Sequence, residues 1–167
     1  FTERIFELES PKGFQVSIRS KRFISFAQPD IAVIYYNIRS LNFEGRISMM
    51  PLLNGNINND FSEVNQLSWN VLQTVTQKDV ARIWTQIRLH NFYVCSAMAY
   101  SFYKNNEEIK TIAAKIEKEK AVGFSVGTDV RAGDRLTLYK FVNMISSDDF
   151  DHDKLAQISC DNALNAR

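Results

Sequence analysis

Three things are scarce in these 167 residues: cysteine, charge of one sign, and long apolar runs. Each shortage excludes something. The two cysteines, Cys95 and Cys160, lie far apart, and only their even count hints at a disulfide. Cys95 sits in an apolar strand-like run and reads as a buried free thiol. Basic and acidic residues number 20 and 19, a net charge of +1, which gives no electrostatic case for nucleic acid or an anionic membrane. No apolar run approaches the ~20 residues that span a bilayer. No Asn-x-Ser/Thr acceptor occurs. Gly55, Gly123, Gly127 and Gly133 form no phosphate-cradling motif. Phe1-Thr2-Glu3-Arg4 is not a basic-then-apolar leader, and the missing initiator methionine reads as a processed or excised chain.

What is present is β pattern. The composition, 45% hydrophobic and 23% charged, suits one globular domain. Phe14, Val16 and Ile18 alternate with Gln15, Ser17 and Arg19. Ala32, Ile34, Tyr36 and Ile38 make a second row, and Ile31, Val33 and Tyr35 make its reverse apolar too, which predicts a strand covered on both faces. Ile47 and Met49 begin a third run, limited by Pro51. Upstream, Ser10-Pro11-Lys12-Gly13 reads as the turn of a hairpin from Ile5 into Phe14–Ile18.

Asn54 to Asp60 reads as a polar loop and Phe61 to Ser68 as a connection. Trp69–Thr76, Val80–Leu89 and Phe92–Tyr103, parted by Gln77-Lys78-Asp79 and His90-Asn91, predict an antiparallel meander. In the first of these, Trp69, Val71 and Val75 share a face. Lys104 to Glu108 reads as a loop. Ile109–Glu119 fits helical spacing at Ile109, Ile112, Ala113 and Ile116, and alternation at Ile112, Ala114 and Ile116. Val122, Phe124 and Val126 predict a strand, Gly127-Thr128-Asp129 and Ala132-Gly133-Asp134 loops, and Leu136–Ile145 a long strand. Ser147 or Asp148 is placed to cap a helix from near Asp149, with Leu155, Ile158 and Leu164 on its apolar side and Ala156 and Ala163 nearby.

Nothing in this pattern assembles a catalytic site. A glycosidase pair needs two carboxylates ~5–9.5 Å apart. Glu44, Asp60, Glu63 and Asp79 sit in or beside turns, where acids serve the backbone, and nothing pairs them. The run Asp148-Asp149-Phe150-Asp151-His152-Asp153 has oxygen ligands for a cation but lacks the glycine and spaced glutamate of a calcium loop, so helix capping is preferred. His90 and His152 are too separate for a metal pair. Lys115 to Lys120 mixes signs and reads as a solvated face. Trp69, Trp84 and Tyr93 are candidates to stack on a sugar, with core packing the commoner use of such aromatics. No catalytic, cofactor-binding or metal residue is therefore assigned.

The order Arg22-Phe23-Ile24-Ser25-Phe26, Asp30-Ile31-Ala32-Val33-Ile34, Leu41-Asn42-Phe43-Glu44-Gly45-Arg46-Ile47 and Leu53-Asn54-Gly55 resembles the N-terminal β-sandwich domain of glycoside hydrolase family 65. Gly133-Asp134-Arg135-Leu136-Thr137-Leu138-Tyr139-Lys140-Phe141-Val142 resembles that sandwich's last strand. The family contains maltose, kojibiose and trehalose phosphorylases and some trehalases. The resemblance implies an all-β, antiparallel sandwich over 1–147, with the family's first strands missing, and the start of a helical linker over 148–167. It favours strand for 109–119. It implies that the catalytic glutamate and the phosphate site belong to an (α/α)6 barrel outside this chain. The parent would be a cytoplasmic bacterial enzyme, a homodimer in one form the family allows, cleaving an α-glucosidic disaccharide by inverting phosphorolysis, with inorganic phosphate as co-substrate and no cofactor. A trehalase-type hydrolase and a stand-alone carbohydrate-binding module stay open beside it, as does a purely structural sandwich.

Overall fold

A computed structural model describes residues 1–56, 69–87, 90–110 and 113–167. The strands are β1 (Thr2–Glu9), β2 (Gln15–Ile24), β3 (Ile31–Ser40), β4 (Gly45–Met49), β5 (Leu52–Asn54), β6 (Trp69–Gln77), β7 (Val80–Ile87), β8 (Tyr93–Lys104), β9 (Glu107–Glu108), β10 (Ala114–Lys118), β11 (Ala121–Val130) and β12 (Arg135–Ser146). A 3-10 turn, His152–Lys154, leads into the helix α1 (Leu155–Asn165). The large antiparallel sheet runs β1-β2-β3-β12-β8-β7-β6, with β9 beside β8. The small one runs β10-β11-β4, and β5 also pairs with β11. The expected all-β sandwich with one C-terminal helix is what forms. The readings made for Ile57 to Ser68 (Asp60 and Glu63 included), for Arg88 and Leu89, and for Thr111 and Ile112 lie outside the described residues.

Alternation decides which side chains meet between the sheets. Met49, Phe102, Val126, Val130, Leu136 and Leu138 form one buried cluster there. Leu53, Ala81, Ile83, Met98, Val122 and Phe124 form a second. Each large member contributes roughly 1.5–3 kcal/mol by leaving water. The opposite, outer row of β8 is small: Cys95, Ala97 and Ala99 leave room for α1. Ala163 packs on Val80, Ala97 and Ala99, and Leu155 on Cys95 and Ile145. The helix therefore covers the β7–β8–β12 half of the outer face.

Several expectations hold. The first hairpin pairs Phe6 with Ile18 and Leu8 with Val16, and its turn closes with Gly13 N–H donating to the Ser10 carbonyl at 2.8 Å. The β6–β7–β8 meander forms. Pro51 ends β4, and the chain then resumes on the same partner as β5. Residues 114–118 are strand, so alternation prevails over helical spacing there.

Others need correction. Gly127-Thr128-Asp129 is not a loop but the end of β11, paired to Ser48, Ile47 and Arg46. A Cβ on Gly127 would stand 2.7 Å from the Ile47 carbonyl, so glycine lets the strands close. Lys104 to Glu108 is a tight hairpin: Asn105 and Asn106 both take positive φ, 52° and 73°, and β9 pairs back on β8. A bulge between Val71 and Gln73 shifts the register of β6 by one. Val75 thus leaves the face of Trp69 and Val71, and Thr74 and Thr76 turn inward instead. The helix starts at Leu155, after the 3-10 turn, rather than near Asp149. Neither Ser147 nor Asp148 caps it: both lie ahead of the 3-10 turn, Lys154 occupies the capping position, and the Ser147 hydroxyl accepts the Tyr93 N–H at 3.1 Å. Its buried line is Leu155, Ser159 and Ala163, while Leu164 is exposed. β3 is buried outside only at Ile31 and Val33, and from Tyr35 onward that face is open.

Asp134 ties two turns together. Its carboxylate accepts from the Asn105 amide (2.8 Å), the Arg131 N–H (2.9 Å) and Lys104 Nζ (2.9 Å). These donors, Asn105 first, hold its carboxyl well below the usual range. A carboxyl depressed in the fold stabilises above its unfolded value near 3.8 and loses that contribution as pH falls below it. Between about pH 5 and 2, stability is expected to fall less steeply in Asp134→Asn than in the parent chain. Equal slopes in acid titrations followed by circular dichroism would remove Asp134 from this account.

Candidate functional site

The uncovered half of the large sheet's outer face is built from polar and aromatic rows in register. Arg19, Asn37, Thr137 and Tyr103 form one row across β2, β3, β12 and β8. Lys21, Tyr35, Tyr139 and Ser101 form the next. Ser17, Arg39 and Arg135 form a third. The Asn37 amide donates to the Thr137 hydroxyl at 2.7 Å, fixing the middle of the face. Tyr139 touches Tyr35 (ring centroids 5.3 Å) and Tyr103 (5.8 Å). Burial raises the pKa of the Tyr139 hydroxyl, and the two neighbouring tyrosines add to the shift. Together these side chains line an open cavity of about 710 Å³ that Arg167, just past α1, also borders.

The charges on this face are unequally answered. Arg19 Nε meets Glu3 at 2.5 Å, and that bond raises the arginine's pKa. Arg167 meets Asp79 at 3.3 Å. Arg39 and Arg135 sit directly opposite one another, both exposed, and neither forms an ion pair among the described residues. No motif announces these residues. Their only trace in the sequence is polar alternation through Tyr35, Asn37 and Arg39 and through Arg135, Thr137 and Tyr139, and register alone brings them together.

The residues weighed from sequence are dispersed. Glu44 is exposed beside β4, and Asp79 is exposed in the β6–β7 turn. Of the acidic run, Asp151 binds Lys154 at 2.7 Å and Asp153 lies 3.1 Å from His152 Nδ1. Among the described residues no three His, Cys, Asp or Glu side chains come together as a metal site. His90 lies in its turn, with its carbonyl accepting from Gln86. Cys95 and Cys160 are free thiols. Burial pushes the Cys95 thiol up to about 11, so it is inert. Lys115 and Glu117 are not a merely solvated pair. Glu117 accepts both the N–H (2.6 Å) and the hydroxyl of Thr76, and Lys115 Nζ donates to the Thr76 carbonyl at 3.1 Å. They latch β10 of the small sheet onto β6 at the edge of the large one. His152 stands against both Trp84 (5.0 Å) and Tyr93 (4.5 Å), so this histidine, not open solvent, lies against those two rings. Trp69 lines a separate, smaller cavity of about 230 Å³ with Ile83, Thr85 and Met144.

Comparison with known proteins agrees with this picture. The profile of the glycosyl hydrolase family 65 N-terminal domain matches residues 1–167. An alpha,alpha-trehalose phosphorylase of Thermoanaerobacter brockii is 27% identical over 180 residues, covering 100% of this chain and 22% of its own length. One from Geobacillus stearothermophilus is 28% identical over 153 residues, 81% of this chain and 20% of its own. A solved structure, that of a candidate kojibiose phosphorylase from the human microbiome, superposes with a TM-score of 0.79 at 15% identity, over 98% of this chain and 20% of that one. The chain thus spans about a fifth of the length of these relatives. With its whole length matched and its sandwich shared, the chain belongs to glycosyl hydrolase family 65 as an N-terminal domain.

Proposed function

We propose that this domain is a non-catalytic scaffold in an enzyme that cleaves an α-glucosidic disaccharide by inverting phosphorolysis, with α,α-trehalose the favoured substrate. The family match over the whole chain carries the reading, and both trehalose phosphorylases support the substrate. In such a reaction the C1–O glycosidic bond breaks while a phosphate oxygen bonds C1 from the opposite face. A proton passes to the departing sugar oxygen, and an α-glucoside yields β-glucose 1-phosphate. The acid that gives the proton and the groups that seat phosphate would belong to the (α/α)6 barrel, with residues 148–167 as the start of the linker toward it. No helix among the described residues is long and apolar enough to cross a membrane. A cytoplasmic setting suits an enzyme that draws on free phosphate, as do two unpaired thiols. A homodimer of the parent fits the same reading.

The test is an assay of two chains side by side. The 167-residue chain, given trehalose or maltose with phosphate, is expected to form no glucose 1-phosphate. A chain continuing through the barrel is expected to form it from trehalose. Product from the short chain, or none from the long one, would overturn the proposal.

A further inference from the structure

We infer that the open tyrosine–arginine face is the seat on which the polypeptide continuing past Arg167 packs, and that this segment brings carboxylates to Arg39 and Arg135. The inference rests on the reading of this chain as part of a longer enzyme.

The first ground is the arginine pair. Like charges placed directly opposite on neighbouring strands destabilise a sheet. Arg39 and Arg135 are so placed, whereas Arg19 and Arg167 on the same face each have an acid. A carboxylate-bearing partner would turn that repulsion into paired, forked hydrogen bonds. The second ground is composition. Tyrosine and arginine are the side chains enriched in the cores of protein interfaces, and lysine and glutamate are depleted there. Here Tyr35, Tyr103 and Tyr139 are half-buried and touching, with arginines toward one end and Phe141 toward the other. The third ground is position. α1 already covers the adjoining half of the same face, and Arg167 borders the cavity, so the continuing chain emerges beside it. The relatives have roughly four-fifths of their length outside the matched part, ample to cover it.

A small ligand fits this face less well. Its lining spreads from Ile5 on β1 to Tyr103 on β8, four strand spacings or roughly 19 Å at ~4.8 Å each, and it is open to solvent. Ligand sites enclose most of their occupant.

The experiment compares hydroxyl-radical oxidation of Tyr35, Tyr103 and Tyr139 in the 167-residue chain and in the full-length enzyme. Oxidation several-fold slower in the full-length monomer is expected. Arg135→Glu supplies a second readout whose sign differs between the two. In the 167-residue chain it places opposite charges across the strands, so the melting temperature holds or rises. In the full-length enzyme it sets like charge against the partner's acids, so the temperature falls and the tyrosines regain reactivity. Equal oxidation in both chains would overturn the inference. So would protection of the short chain that appears only as it self-associates, which would make a second copy the occupant. Protection of the short chain by inorganic phosphate alone would make the face a small-anion site and would overturn it too. Trehalose phosphorolysis is assayed on the same full-length preparation. Protected tyrosines without that activity would leave the docking face standing and remove the proposed reaction.

Discussion

Gly123→Ala is expected to cost about 3 kcal/mol, the upper part of the range for overpacking a core. Gly123 lies in β11, the strand that β10, β4 and β5 all pair with. A Cβ built there stands 2.1 Å from the Pro51 carbonyl oxygen and 2.9 Å from both Leu52 Cδ2 and Met98 Cε. The methionine can swing aside, because its side chain is long and unbranched. The carbonyl cannot do so cheaply. It accepts the Phe124 N–H at 3.1 Å and belongs to a proline with a fixed φ. Relief therefore requires the β4–β5 segment to lift from β11, and that opens the cluster around Phe124 and Val122. Gly13→Ala is the control. Gly13 has φ of 78° but nothing within 4 Å, so the alanine incurs only backbone strain, ~1–2 kcal/mol. Urea unfolding at constant m distinguishes the two. A midpoint for Gly123→Ala equal to that of Gly13→Ala would show that the segment relaxes freely and that the contact carries no stability.

The strands were legible from their apolar rows. β2, β7 and β12 announce themselves through alternation, since a slip of one residue would expose those rows, and β3 and β8 through apolar or aromatic residues on both rows. The failures share a different cause, a local residue choice that answers to a distant partner. Gly127 reads as a loop until Ile47 and Ser48 are seen against it. The bulge before Gln73 has no local signature, and its consequence is that Thr74 and Thr76 face Lys118 and Glu117 across the sandwich. Ser147 looks like a helix cap but is engaged by Tyr93, 54 residues away. The candidate face was illegible for the same reason. Arg39 and Arg135 are 96 residues apart in sequence (135 − 39), and only the order β2-β3-β12-β8 sets them side by side. The family resemblance lay in the order of ordinary scaffold residues, which fits a chain whose chemistry is proposed to reside elsewhere.

Lys140→Met is expected to make the chain more stable at pH 7, by about 2 kcal/mol. Lys140 sits on the inner row of β12 between Leu138 and Val142, lining a space with Ile34, Met49 and Pro51. Its Nζ donates to the Leu52 carbonyl at 2.5 Å, and among the described residues it forms no ion pair. Burial, with the Arg22 charge as a second cause, lowers its pKa from 10.5 to about 8. An amine depressed in the fold is a charge the fold tolerates poorly. Below pH 8 both states hold the proton and the full penalty applies. Between 8 and 10.5 the unfolded chain binds more protons than the folded one, so stability rises with pH. At ~1.4 kcal/mol per unit the penalty exceeds about 3 kcal/mol, and the hydrogen bond to Leu52 offsets about 1 of it. Cys95 has the opposite sign. Its thiol is raised from 9.0 to about 11, so from pH 9 upward the unfolded chain loses a proton that the fold keeps, and stability falls. Tyr100 and Tyr139, also raised by burial, add to that fall only above 10. The parent chain should therefore gain stability from pH 8 to 9 and level off above it, where the two slopes oppose one another. Lys140→Met should remove the rise between 8 and 9, and Cys95→Ala should let the rise continue above 9. Urea midpoints at half-unit steps of pH measure both limbs. A parent profile flat from pH 7 to 9, or a Lys140→Met profile with the same rise as the parent, would show that the amine is solvated in the fold and that its burial costs nothing.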